Sequence, residues 1–312
     1  MKKVSIVIGL YNSEKTINYV VDEIKETFAA QSEYNYEIVL VDDHSPDKVY
    51  SVAKNMAKED SRIKVIHLAK NVGQTNAVIE GYKYAKGDYI VEMDDDYQMP
   101  GYEIPRMVKE LEQGNYDVIF AKYPEQKESL FRRIGSKINN RTSAWTVGKP
   151  KDIRVNSFFV MRKFVKDAVV KYSNNYPYIY GIIFAITQNI ANIEVEHRER
   201  KSGKSNYTTK ALTRLWLNGV LNFSIHPLRI AAKFGFVVTT IGLIAAIILI
   251  IQRLVSGTSV LGWTSLMITI IVFAGVQLIS IGVIGEYLGR MYISKSGIPR
   301  ATIKEIVDEE DK

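Results

Sequence analysis

Residues 89–100 read YIVEMDDDYQMP. A short run rich in β-branched and aromatic side chains, Tyr89–Met93, ends on three consecutive carboxylates, Asp94, Asp95 and Asp96. Adjacent carboxylates repel one another unless a cation neutralises them. Mg²⁺ is commonly held by one or two carboxylates plus substrate phosphates. Asp94 and Asp96 lie two apart, which puts them on one side of an extended segment, and Gln98 continues that side with a neutral oxygen. An ion held there would bridge to a diphosphate and stabilise it as a leaving group. Taken alone, the motif also reads as a solvated acidic turn.

Working outward, strand and helix patterns alternate. Val4–Ile8, Glu37–Val41, Val65–Leu68, Tyr89–Met93 and Val118–Phe120 are predicted strands. Between them, Ser13 precedes a helix with Ile17, Val20, Val21, Ile24 and Phe28 on one face, and further helices are predicted over 47–59, 75–85 and 104–113. Residues 126–207 are less regular. The βαβα rhythm predicts an open α/β sheet, mostly parallel, with helices on both faces. Ligands bind such sheets outside the carboxyl ends of the strands. Four polar loops converge there: Gly9–Asn12 with Tyr11 and Asn12, Asp42–Ser45, Lys70–Gln74 with Asn71 and Gly73, and Asp94–Gln98. Each alone is a plain turn; together they predict a ligand site. The dinucleotide fingerprint GxGxxG is absent after the first strand, which counts against NAD or FAD. Gly203-Lys204-Ser205 mimics the end of a P-loop, but Arg198 stands where its first glycine belongs.

Two uncharged stretches, 234–252 and 254–285, interrupted by Arg253, are each long enough for a membrane helix. Arg214, Arg229 and Lys233 flank one end, and Arg290, Lys295 and Arg300 the other. The positive-inside rule then places both termini in the cytoplasm. Residues 208–227 mix Leu, Trp and Phe with Lys and Arg, as an interfacial amphipathic helix does, or equally a surface helix of the globular part. Glu286 and Arg290, four apart, can pair on one helix face. The 312 residues are 46% hydrophobic, so disorder is excluded, and the absence of cysteine excludes a disulfide scaffold and a cysteine nucleophile. A net charge of +7 suits an anionic partner: nucleic acid, a phosphate ligand or anionic lipid.

The order VSIVIGLYNSEKTI, EIVLVDDHSPD and HLAKNVGQTNAVIEGYKYAKGDYIVEMDDDYQMP resembles the family 2 glycosyltransferases of the GT-A fold. More narrowly it resembles the dolichyl-phosphate mannose synthase branch, which includes bacterial polyprenyl-phosphate glucosyl- and aminoarabinosyl-transferases. HRERKSGKSNY is similar to that branch's RxxGxSxY element, and GVQLISIGVIGEYLGRMY to its last membrane helix. The resemblance implies a cytoplasmic GT-A catalytic domain over 1–207. A juxtamembrane amphipathic helix over 208–230, a two-helix transmembrane hairpin over 231–290 and a cytoplasmic tail over 291–312 follow. It implies inverting, metal-dependent transfer of a sugar from a nucleotide sugar to a polyprenyl phosphate, undecaprenyl phosphate in a bacterium. The chain would lie in the inner (cytoplasmic) membrane, as a multi-pass protein and a homo-oligomer, with a flippase as a further partner and no role for nucleic acid.

By position, Tyr11, Asn12, Asp42, Asn71, Gly73, Asp94 and Asp95 would bind the nucleotide sugar, and Asp96 and Gln98 would hold Mg²⁺ or Mn²⁺. Asp94, Asp96, Arg200 and Lys204 would be catalytic, with Arg200, Lys204 and Ser205 at the acceptor phosphate. Two elements depart. Gly9 stands where the family usually has proline. Where the family carries Asp-Phe-Arg or Ser-Phe-Arg, this chain has Arg154-Val-Asn156-Ser157-Phe158-Phe159. Either Asn156 replaces the aspartate or the match slips by one residue, and Phe159 stands for the arginine. A phosphate monoester has its second pKa near about 6, so the acceptor arrives as an anion without a protein base. Two other readings stand beside this one: transfer to a lipid-linked glycan, and a non-catalytic membrane scaffold that binds nucleotide or lipid.

Overall fold

The computed structural model describes residues 1–31, 33–124, 148–150, 152–172, 174, 177–196, 198, 226–256 and 262–308. The chain divides into two compact units, one of residues 1–222 with 299–312, the other of residues 223–298.

The first unit is built on one sheet of eight strands, ordered β7-β5-β6-β4-β1-β2-β3-β8. β1 (Lys2–Leu10), β2 (Tyr34–Asp42), β3 (Ile63–Leu68) and β4 (Tyr89–Met93) run parallel, with β1 between β2 and β4. They join through α1 (Ile17–Ala29), α2 (Val49–Glu59) and α3 (Gln74–Tyr84), and α4 (Ile104–Gln113) leads on to β5 (Val118–Lys122). All five strands and four helices expected over 1–125 are present.

The segment 126–207, irregular in sequence, supplies β6 (Phe159–Arg162), α5 (Lys163–Lys171), α6 (Ile179–Ile186) and β7 (Ile190–Glu194) among its described residues. β6 inserts antiparallel between β4 and β5. The C-terminal segment, expected only as a tail, carries β8 (Ile303–Val307), which pairs antiparallel with β3 and covers that edge of the sheet.

Alternation along the strands sends residues to two cores. Val4, Ile6, Ile8 and Leu10 of β1 join Ile38 and Leu40 of β2 under α1, α2 and α4. The opposite face carries α3, which approaches closely because Gly81 has no side chain. A Cβ there would lie 2.6 Å from Val7 Cγ1 and 2.7 Å from Val41 Cγ2. Gly81→Ala should therefore lower stability by about 1–3 kcal/mol despite better helix propensity. Thermal unfolding of the variant checks this; an unchanged midpoint would show that α3 can shift without cost. Beside it, buried Glu92 of β4 accepts a hydrogen bond from the buried Tyr82 hydroxyl of α3.

The second unit holds two long helices, α7 (His226–Ser256, 31 residues) and α8 (Trp263–Lys295, 33 residues), which pack on each other. At 1.5 Å per residue they are about 46 and 50 Å long. Counted over the described residues alone, no helix is long and apolar enough to cross a membrane; several side chains within both helices fall outside the described set. Arg290 Nε donates to Glu286 Oε1 at 2.8 Å, the pairing expected from their spacing.

Candidate active site

The acidic loop leaves β4 at the carboxyl edge of the sheet and is tied to three other segments. Gln74 Nε2, at the start of α3, donates to Asp94 Oδ1 at 2.6 Å. Ser157 Oγ, ahead of β6, donates to Asp94 Oδ2 at 2.7 Å. The Tyr11 backbone N–H, after β1, donates to Asp95 Oδ2 at 3.0 Å. Burial pushes the Asp95 carboxyl up to about 6; the Ser13 hydroxyl and the Tyr11 N–H oppose that rise, and the flanking Asp94 and Asp96 add to it. The turn closes through Tyr97 at φ +64° and a 3.1 Å bond from Gln98 N to Asp96 Oδ1.

The loop is anchored from β7 as well. Arg198 N donates to the Gln98 carbonyl at 3.2 Å, and Gln98 Nε2 donates back to the Arg198 carbonyl at 3.3 Å. The Arg198 guanidinium is spent on structure. It pairs with both carboxylate oxygens of Glu23, at 2.7 and 3.1 Å, and lies over the rings of Tyr97 and Tyr102. The chain leaving this anchor carries Arg200, Lys204 and Ser205, which lie outside the described residues.

The other three loops lock together. Asn12 N donates to Ser45 Oγ at 2.9 Å, and Ser45 N donates to Asp42 Oδ1 at 3.1 Å. Asp42 is fully buried, and its Oδ2 lies 2.6 Å from His67 Nδ1. Asp43 accepts the backbone N–H groups of Val72 and Gly73 at 2.7 and 2.9 Å, while Asn71 Nδ2 donates to the Asp43 carbonyl at 3.3 Å. Burial pushes the Asp43 carboxyl up, against those two N–H groups. Gly73, at φ +86°, occupies the left-handed region that glycine enters without strain, and turns the chain into α3.

Tyr11, Asn12, Asp42, Asn71, Gly73, Asp94, Asp95, Asp96 and Gln98 thus converge at one edge. Asp42 and Asp43 hold loops rather than face solvent. The second departing element comes to the same place. Asn156 Oδ1 accepts the Phe158 N–H at 3.2 Å and lies beside the Tyr123 hydroxyl, a phenol raised by burial and by Asp94. Ser157, Arg198 and His67 are structural partners that sequence reasoning passed over. Their carboxylate partners lie 63, 175 and 25 positions away along the chain, so no local pattern announces them.

The donor set at the acidic loop is hard oxygen: the three carboxylates and the Gln98 amide, whose nitrogen is engaged by Arg198. That chemistry fits Mg²⁺ or Mn²⁺, and a cation would relieve the cost of charging the crowded Asp95. Among the described residues no group of three or more His, Cys, Asp or Glu side chains is arranged to hold an ion alone. A divalent ion here would draw further ligands from phosphate oxygens.

The sequence profile of glycosyl transferase family 2 matches residues 5–170. The undecaprenyl-phosphate 4-deoxy-4-formamido-L-arabinose transferase of Photorhabdus laumondii is 32% identical over 314 residues, covering 99% of this chain and 95% of its own. The enzyme of the same name from Pseudomonas syringae is 33% identical, covering 98% and 91%. Among solved structures, Mycobacterium tuberculosis glucosyl-3-phosphoglycerate synthase, crystallised with Mn²⁺, UDP and phosphoglyceric acid, superposes with a TM-score of 0.54 at 16% identity. That match covers 70% of this chain and 76% of the synthase, and it is a likeness of fold.

Proposed function

The chain belongs to glycosyl transferase family 2 and is a glycosyltransferase, and from that premise we propose that it moves a sugar from a nucleotide sugar to a polyprenyl phosphate. Undecaprenyl phosphate, named in the relatives that match nearly end to end, is the acceptor of choice. The observation that carries this reading is the Asp94–Asp96 loop, bonded to the β1 loop, α3 and the lead-in to β6 at the carboxyl edge of the sheet. Tyr11, Asn12, Asn71 and Gly73 bind the donor there, and Asp42 shapes the pocket by holding Ser45.

Mg²⁺ or Mn²⁺, when held by Asp96 and Gln98, supplies positive charge that stabilises the departing diphosphate. Asp94, held by Gln74 and Ser157, is assigned to the sugar side of that site. We assign the acceptor phosphate to Arg200, Lys204 and Ser205, which follow the Arg198–Gln98 anchor in the chain. The acceptor phosphate attacks the anomeric carbon as the C–O bond to the diphosphate breaks, inverting the configuration. No aspartate stands at position 156 to take a proton, and a phosphate dianion has none to give up.

We assign residues 231–290 to two membrane crossings, with residues 208–230 as an amphipathic approach. The uncharged stretches 234–252 and 254–285 support this. So does β8. Because the chain returns after α8 to pair with β3, both flanks of the helical pair lie on one side of any membrane it crosses, and the crossings are even in number. The basic flanks make that side cytoplasmic. Glycines along α7 and α8 suit close helix packing, and with it a homo-oligomer or a flippase partner.

The test is a donor screen: purified protein, Mg²⁺ or Mn²⁺, undecaprenyl phosphate and a panel of radiolabelled nucleotide sugars, read by thin-layer separation of lipid products. Label should enter lipid from one donor; no transfer from any would sink the proposal. A reporter fused after Lys312 should score cytoplasmic, and an external signal would overturn the orientation.

A further inference from the structure

One row of side chains crosses three adjacent strands at the carboxyl edge of the sheet. Asp42 ends β2, His67 stands opposite it on β3, and Glu305 stands opposite His67 on β8. All three project from the same sheet face as Val65 and Val307. The row reads carboxylate, imidazole, carboxylate, and its third member lies on a strand that follows α8 in the chain.

The row is closely held. Asp42 is fully buried and His67 is 9% exposed. The Tyr50 ring of α2 stacks on the His67 ring at 4.2 Å between centroids, and the His44 ring lies on it at 5.8 Å. Glu305 pairs with Lys54, one turn on from Tyr50. The β3–β8 register shifts between His67 and Leu68, where Lys304 is passed over. Such a bulge re-aims the side chains beside it. Below it Lys64 pairs with Asp308 at 2.6 Å, and above it Ala69 N donates to the Thr302 carbonyl at 2.8 Å.

From Asp42 the bonds run on into the donor loops. Asp42 Oδ1 accepts from Ser45 N, Ser45 Oγ accepts from Asn12 N and donates to Asp47 Oδ1, and Asp47 Oδ2 accepts from Glu14 N. Next to Asn12, Tyr11 N reaches the acidic loop at Asp95. Hydrogen bonds therefore link His67 to the loops after β2 and β1, and the neighbouring Tyr11 N–H carries the connection on to the loop after β4.

We propose that His67 is a positioning residue for donor binding, and that Glu305 on the C-terminal strand holds it in place. The imidazole fixes the Asp42 carboxylate, the carboxylate fixes Ser45, and Ser45 fixes the backbone of the loop on which the nucleotide rests. The proposal rests on the donor-site reading above and adds to it an element that the donor never touches.

The test uses the full-length protein in detergent with Mn²⁺ and measures binding of UDP, GDP, CDP and ADP by calorimetry, with thermal unfolding of each variant recorded in parallel. His67→Ala should weaken the bound nucleoside diphosphate about tenfold, the worth of one charge-assisted hydrogen bond. His67→Asn keeps an N–H near the Nδ1 position and should recover most of that loss. Glu305→Ala should weaken binding in the same direction and by less. In turnover with the donor found by the screen, KM for donor should rise while kcat and the acceptor KM hold. If no diphosphate binds the wild-type protein, the donor-site reading fails and this proposal with it. If one binds and His67→Ala binds it equally well, or His67→Asn is as weak as His67→Ala, the positioning role is overturned while the donor-site reading stands.

Discussion

Asp96→Asn should lower sugar transfer about a thousandfold, corresponding to roughly 4 kcal/mol of transition-state stabilisation. The substitution keeps the shape of the side chain and an oxygen able to accept from Gln98 N, so the turn survives. What it removes is the negative charge at the residue proposed above to hold a divalent ion. Thermal unfolding should move little, and the protein should still insert into membranes. The measurement is turnover over a range of Mn²⁺ concentrations. A variant that retains near wild-type turnover would show that Asp96 holds no ion needed for transfer. Asp94 is a poorer first choice for this test, since its two oxygens also tie α3 and Ser157 to the loop.

The second large effect concerns stability and comes from Glu92. Burial pushes its carboxyl up to about 8; the Tyr82 hydroxyl opposes this and the nearby Asp94 charge adds to it. An unfolded glutamate titrates near about 4.3. Between those values the folded protein keeps a proton that the unfolded chain has lost. Stability is therefore fullest at acid pH and declines by about 1.4 kcal/mol per unit as pH rises toward 8, a total on the order of 5 kcal/mol. Glu92→Gln stays neutral throughout and should lack this decline. At pH 8 the variant should be the more stable protein, and near pH 5 it should hold no such advantage. Denaturant titrations at pH 5, 6, 7 and 8 read the difference, and parallel slopes for the two proteins would refute it. Keeping Glu92 neutral also spares β4 a fourth negative charge beside the acidic run.

Much of this architecture is legible in the sequence, and the reasons differ by region. The strands and helices of residues 1–125 read cleanly because hydrophobic period and turn residues agree, as in Ile17, Val20, Val21, Ile24 and Phe28 on α1, all buried. The convergence of the four loops also follows, since a parallel sheet sends every carboxyl end to one edge. β6 and β7 are harder. They are four and five residues long, and β7 alternates little, with Ala191 and Asn192 in its middle. β8 reads as a tail because its sequence, IKEIV, is short and its partner β3 lies across the whole helical pair. The site follows the same division. The acidic trio declares itself through charge, whereas Ser157, His67 and Glu305 are ordinary residues until the fold sets them beside Asp94, Asp42 and His67.

β8 also bears on the order in which the protein is made. The ribosome delivers residues 303–307 only after residues 223–298 have been synthesised, so during synthesis β3 is left with an unpaired edge. An open edge is a template for pairing with another chain. The β3 edge is thus most prone to association while residues 223–298 are being made, and it is covered once β8 pairs with it. A shortened protein ending before the helices would keep the β3 edge uncovered permanently.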